Sequence, residues 1–262
     1  MQNNQPQWSA MLSEAVNKPG VLSSAYSAFH NYSIGNQLLA WSQMQSREIP
    51  LGPIATFKDW QAKGRQVRKG EKAIELVMPV TINRKDESGE KTGDVFTLFA
   101  MKPRWFALSQ TDGEDYEHEA KSPEWDAATA LDALGITEVP YNSTDGNCQG
   151  YATGSSISIN PVAALPHKTR FHEIAHVVLG HTKEHDMHDN ERTPRDVREV
   201  EAESVAYICI SLLGLPGQEE SRGYIQHWLG GDKIEDKTAQ RIFAAANKIL
   251  DAGKPTTQGA RA

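Results

Sequence analysis

The sequence predicts an α+β protein of two domains, an N-terminal one built of helices and an antiparallel sheet and a C-terminal one that is mainly helical. Three observations carry this. Apolar residues recur at helical period near both ends of the chain. Two stretches rich in β-branched and aromatic residues, Ile74 to Ile82 and Val95 to Met101, flank a polar turn in the first half. In the second half, His172-Glu173-Ile174-Ala175-His176 reads H-E-x-x-H within an apolar stripe at helical spacing.

In chain order, Trp8, Met11, Leu12 and Val16 share one face of a first helix, which Pro19-Gly20 ends. A second helical pattern runs from about Ser23 to Met44 through Tyr26, Phe29, Ile34, Leu38, Leu39 and Trp41, and Pro50-Leu51-Gly52-Pro53 forces a loop. Thr56 to Ala62 suits a short helix, and Gly64 and Gly70 favour turns around the basic residues between them. The strand from Ile74 passes through a polar hairpin loop over 83–94 into the strand from Val95, which continues irregularly to Leu108. Acidic residues crowd the next stretch (Asp112, Glu114, Asp115, Glu117, Glu119), which is read as a linker over 111–123 between domains 1–110 and 124–252. Beyond it come a helix from Trp125 to Leu134, an alternating strand from Gly150 to Asn160, and the H-E-x-x-H helix between Pro166 and Gly180. Thr193-Pro194 starts a helix reaching about Leu213, Tyr224 to Leu229 form a short one, and Ile242, Phe243, Ala246, Ile249 and Leu250 line the last. The tail 253–262 is expected to be disordered.

One helical turn takes about 3.6 residues, so His172 and His176 lie on one face with both imidazoles able to meet a single metal ion. Glu173 lies about 100° round the helix, within reach of a water on that metal, and is the expected catalytic base. A third ligand is needed. Glu199 and Glu203 are one turn apart on the following helix, leaving one carboxylate for the metal and one to hydrogen-bond a ligand histidine. Glu201 points elsewhere and is expected to be solvated, as are His181, His185 and His188, which read as loop histidines. The metzincin order HExxHxxGxxH does not fit, because Gly180 and His181 are out of its register. The E-x-x-A-E order from Glu199 resembles gluzincin metallopeptidases, in which the first acid binds zinc and the acid four residues on supports a histidine. The resemblance implies Glu199 as ligand and Glu203 as its support, with Glu203 the alternative ligand. Zinc is the expected ion and manganese the alternative, since a His₂Glu set accepts either. His181 or His185 would then be the group to stabilise an oxyanion.

The chain has 262 residues, 39% of them hydrophobic, enough for one large core or two modest ones. Two cysteines, Cys148 and Cys209, form neither a disulfide framework nor a C-x-x-C pair, as expected in a reducing cytoplasm. The polar start from Met1 to Gln7 does not read as a secretory leader, and no run approaches the ~18 apolar residues of a membrane span. A formal net charge of -7 means that any nucleic-acid role rests on a local patch.

That patch is Phe57 to Lys72. It holds Lys58, Lys63, Arg65, Arg68, Lys69 and Lys72 against Asp59 and Glu71, with Phe57 and Trp60 interleaved. Cations that track phosphates beside flat aromatic faces suit single-stranded nucleic acid. The competing reading is a solvated basic turn whose two aromatic residues pack inward.

Asn36-Gln37-Leu38-Leu39-Ala40-Trp41, the run WQAKGRQVRKGEK from Trp60 to Lys72, HEIAHVVLGH from His172 and EVEAESVAY from Glu199 together resemble ArdC-type antirestriction proteins. The resemblance spans nearly the whole chain. It implies an N-terminal domain that binds single-stranded DNA, with contacts at Trp60, Lys63, Arg65, Arg68, Lys69 and Lys72, and a C-terminal zincin-like metallopeptidase domain. The function it implies is protection of incoming plasmid DNA from host restriction during conjugation. A metalloendopeptidase that cuts a host restriction factor or a transcriptional repressor is the alternative.

Overall fold

The computed structural model describes residues 6–85, 91–116, 124–183, 194–231 and 234–255. The fold is mixed helix and sheet, in two compact units: Met1–Pro6 with Ala28–Ala120, and Gln7–Ser27 with Lys121–Ala262. No helix among the described residues is long and apolar enough to cross a membrane.

In the first unit β1 (Ile54–Thr56), β4 (Lys91–Ala107) and β3 (Ile74–Lys85) form an antiparallel sheet in the order β1-β4-β3. The β3–β4 register pairs Val80 with Leu98 and slips by a bulge between Ile74 and Glu75. The single helical pattern expected from Ser23 to Met44 is two helices, α2 (Val21–Phe29) and α3 (Ile34–Ser46). Ser33 has extended backbone and starts α3, a break that apolar spacing alone does not register. Two amides on α3, seven residues apart, grip β3 as an extra strand would. The Asn36 side chain both donates to Val77 O and accepts from Val77 N at 2.9 Å. Gln43 does the same with Glu75, at 2.7 and 2.9 Å.

The residues expected to open the linker are part of this unit: β5 (Thr111–Gly113) pairs antiparallel with β2 (Arg65–Val67). The hydrogen bonds of Thr111 explain why a polar, acidic stretch is structured, because its hydroxyl donates to Leu108 O at 2.7 Å. Positions 117–123 of the expected linker and 256–262 of the expected tail lie outside the described residues.

The second unit is built around α7 (Arg195–Leu212), which is buried from Val200 to Ile210 and packs on α6 (Pro166–Val178), α8 (Gln218–Gly231) and α9 (Asp236–Ala252). α1 (Trp8–Asn17) belongs to this unit rather than to the N-terminal domain expected from its position. Its apolar face packs on α8 and α9. Ser9 N donates to Asp236 Oδ1 at 2.8 Å, and Tyr207 donates its hydroxyl to Ala15 O at 3.2 Å. Periodicity reveals an amphipathic helix but not which core receives its face. The expected strand from Gly150 to Asn160 is a tight hairpin, β7 (Gly150–Thr153) and β8 (Ser156–Ile159), with β6 (Thr137–Glu138) parallel to β8 on its far side. That leaves β7 at the edge, against α6. α5 (Ala127–Leu134) packs on α9, and Trp125 donates to Ile249 O at 3.0 Å.

Candidate functional site

α6 begins at Pro166, whose missing N–H costs nothing at the first helical position. One turn of this helix separates His172 from His176 and sets their Nε2 atoms 3.1 Å apart. α7 brings up Glu199, with Oε2 3.4 Å from His172 Nε2 and 3.7 Å from His176 Nε2. Among the described residues these three side chains form a group able to share an ion. The spacing fits one: donors held about 2.0–2.1 Å from a tetrahedral centre stand about 3.3 Å apart.

The remaining acids have distinct surroundings. Glu203, one turn beyond Glu199, lies with Oε2 2.9 Å from His172 Nδ1 and Oε1 2.8 Å from Lys168 Nζ. Burial pushes its carboxyl up, but His172 and Lys168 outweigh that and hold it at about 2. Burial likewise opposes the His172 imidazolium, yet the carboxylates of Glu199 and Glu203 raise it to about 9. The neighbouring imidazoles, His172 first and then His176, keep Glu199 well below the usual carboxylate range. Glu173 is buried at 7% exposure, and desolvation raises its carboxyl, as suits a group that must take up a proton. Beside it β7 comes so close to α6 that a Cβ on Gly150 would stand 2.7 Å from Thr169 Cγ2 and 3.2 Å from Glu173 Cγ. The resulting cleft, about 500 Å³, is lined by Tyr151 and Thr153 of β7, by Arg195 and Arg198, and by the residues of the triad.

Two expectations fail here. Glu201 is not solvated but fully buried, with Oε2 2.9 Å from His181 Nε2 and Oε1 3.2 Å from Arg241 Nη1. α7 has no solvent face at this level, which the apolar neighbours Val200, Ala202, Val205 and Ala206 signal in the sequence. His181 is not a solvated loop residue: it is 4% exposed, with Nδ1 3.0 Å from His176 Nδ1. Desolvation lowers its pKa. Both of its ring nitrogens are engaged, so it has no free donor for an oxyanion. His185 and His188, and Thr193 ahead of α7, lie outside the described residues.

Residues 1–123 match the family described as the N-terminal domain of anti-restriction factor ArdC. Over those residues the chain is similar to ArdC proteins. Two crystal structures of the antirestriction ArdC protein from the R388 plasmid share its fold. The metal-free form is 23% identical, with a TM-score of 0.57 over 96% of this chain and 95% of that one. The Mn(II)-bound form is 22% identical, with a TM-score of 0.51 over 94% and 93%. No curated protein matches this chain.

Within the residues matching that N-terminal domain the basic segment is only partly an open surface. Trp60, expected to stack on bases, is buried at 1% exposure, donates Nε1 to Phe106 O at 2.8 Å and meets the Tyr116 ring edge-on. α4 (Phe57–Ala62), capped by Thr56, turns Trp60 inward and leaves Phe57 42% exposed. Arg65 and Arg68 brace the β2–β5 turn. Arg65 donates to Thr111 Oγ1 at 2.8 Å and to Glu114 O, while Arg68 pairs with Glu71 at 2.8 Å and Asp112 at 3.3 Å. Lys69 and Lys72 are exposed, and Lys63 is exposed with its ammonium 5.0 Å above the Tyr116 ring.

Proposed function

We propose that this is an antirestriction protein that binds single-stranded DNA and shields incoming plasmid DNA from host restriction during conjugation, its C-terminal unit being a gluzincin-like metallopeptidase domain. The observation that carries the proposal is the pairing, in one chain, of an ArdC N-terminal domain with the converging side chains of His172, His176 and Glu199. The ion is divalent. The R388 relative has a Mn(II)-bound form, and the donor set here suits zinc or manganese. Held by these three residues, it supplies Lewis acidity toward a carbonyl oxygen and lowers the pKa of water. Glu173 accepts a water proton on its carboxylate and returns it to the leaving amine, and its buried setting supports that exchange. Lys63, Lys69 and Lys72 are exposed on the basic segment, as are Lys58 and Arg68, and would track phosphates, with Phe57 the aromatic face beside them.

A second reading, an endopeptidase acting on a host restriction factor or a repressor, is favoured by β7. Among the described residues this strand is the edge of its sheet and lines the cleft, the place where an extended peptide would pair. Glu173→Ala separates the two. Gel shifts with single- and double-stranded DNA, metal analysis and a restriction-protection assay are run on one preparation. If protection and DNA binding survive the substitution, the binder reading stands; if protection is lost while DNA and metal are still bound, the peptidase reading replaces it. No preference for single strands in the wild type would overturn the first reading.

A further inference from the structure

We propose that His181 is a positioning residue for the metal centre: it fixes His176 with a proton on Nδ1 and Nε2 free to bind the ion, through a relay anchored on Glu201 and Arg241. This rests on the reading of His172, His176 and Glu199 as ligands.

The relay begins in the sequence at Gly180-His181. Gly180 has φ +83°, a left-handed conformation that glycine adopts without strain. Its N–H donates to Val177 O at 3.1 Å and that of His181 donates to His176 O at 2.9 Å, the double bond of a helix ended by reversal of the chain. The reversal lays residue 181 back on the turn carrying His176, so the two rings lie 5.1 Å apart, centre to centre, with their Nδ1 atoms 3.0 Å apart.

Hydrogen-bond bookkeeping then dictates the proton positions. Ionised Glu201 can only accept, so His181 Nε2, 2.9 Å away, carries the hydrogen. A neutral His181 therefore presents a lone pair at Nδ1, and the shared proton sits on His176 Nδ1. His176 Nε2 is left as a lone pair facing His172 and Glu199. Glu201 is held in turn by the Arg241 guanidinium on α9, which also donates to Leu179 O at 3.3 Å. His172 meets its carboxylate, Glu203, directly, whereas His176 reaches one through a second imidazole. Partners behind a ligand histidine set its tautomer and ring orientation, and losing one typically costs about 10–100-fold in metal affinity.

The test uses the full chain. Long-range proton–nitrogen NMR on metal-free protein should find His181 as the Nε2–H form and His176 as the Nδ1–H form. Chelator competition with Zn²⁺ and Mn²⁺ should find His181→Phe weakened by about 10–100-fold, with His181→Asn, whose Oδ1 can accept near the place of Nδ1, recovering most of the loss. A hydrogen on His181 Nδ1 in the wild type, or His181→Phe binding both ions within about twofold of wild type, would overturn the relay. Should His181→Phe fail to fold, the wild-type spectrum and His181→Asn decide. A wild type that binds neither ion sinks the ligand reading instead, and the tautomers of the metal-free protein still judge the relay.

Discussion

Glu203 Oε2 stands 2.9 Å from His172 Nδ1, while Glu199, one turn earlier on the same helix, faces Nε2 of that ring at 3.4 Å. One imidazole is thus bracketed by two carboxylates with different duties: Glu203 is 5% exposed and tied to Lys168, and Glu199 opens onto the cleft. Glu203→Gln keeps the shape but removes the charge that holds the Nδ1 proton. We expect metal affinity to fall about 10–100-fold, with DNA binding unchanged. Isothermal titration with Zn²⁺ checks the first expectation, and a gel shift on the same sample checks the second.

The carboxylates also set a pH dependence. His172 is raised from 6.5 to about 9 in the folded, metal-free protein, so its contribution to stability is full below 6.5 and is lost as pH climbs toward 9. Glu203 is lowered from 4.5 to about 2, so its contribution is present above 4.5 and is lost as pH falls toward 2. With chelator present, the melting temperature of the C-terminal unit should therefore be highest between about 4.5 and 6.5 on account of these two groups. Between about 6.5 and 9 an incoming ion must displace the His172 proton, so affinity rises with pH and about one proton is released per ion. Titrations in buffers of different ionisation heat count that proton.

Much of this was legible in the sequence, and the failures share a physical cause. H-E-x-x-H and the E-x-x-A-E that follows encode distances along a single helix, and short-range spacing maps directly onto a helix face. Glu201 and Trp60 depart from expectation because their partners are remote in sequence: Arg241 for Glu201 and Phe106 for Trp60. Charge patterning registers that a residue is polar, not that a buried partner satisfies it. The packing of α1 is hidden for the same reason, since its contacts lie on helices some 200 residues away. The Gly180-His181 pair is the exception, a local signal that a helix-ending reversal could have supplied.

Glu199 and Glu201 differ in what their loss should do. Glu199 faces the cleft, so Glu199→Ala should abolish tight metal binding while leaving the metal-free fold close to wild type. Glu201 is fully buried against His181 and Arg241. Glu201→Ala leaves both partners without their acid, and losses of about 3 kcal/mol are typical when one member of a buried pair is removed. Denaturant midpoints measured with chelator separate the two variants: a shift for Glu201→Ala alone is expected, and equal shifts would contradict the assignment.

The basic segment yields the last prediction. Arg65 and Arg68 spend their donors on the β2–β5 turn, so removing them unsettles the domain as well as any DNA contact. Lys63, Lys69 and Lys72 are exposed cations of the segment outside that brace, and a triple alanine there tests the surface. On single strands each neutralised phosphate contributes about 0.7 to the slope of log K against log salt, so the triple variant should flatten that slope by about 2. Thermal stability should hold, whereas Arg65→Ala should lower it through the lost bonds to Thr111 and Glu114. A wild-type slope near zero would remove phosphate contact from the account altogether, and a triple variant with the wild-type slope would move the DNA to another face of the N-terminal unit.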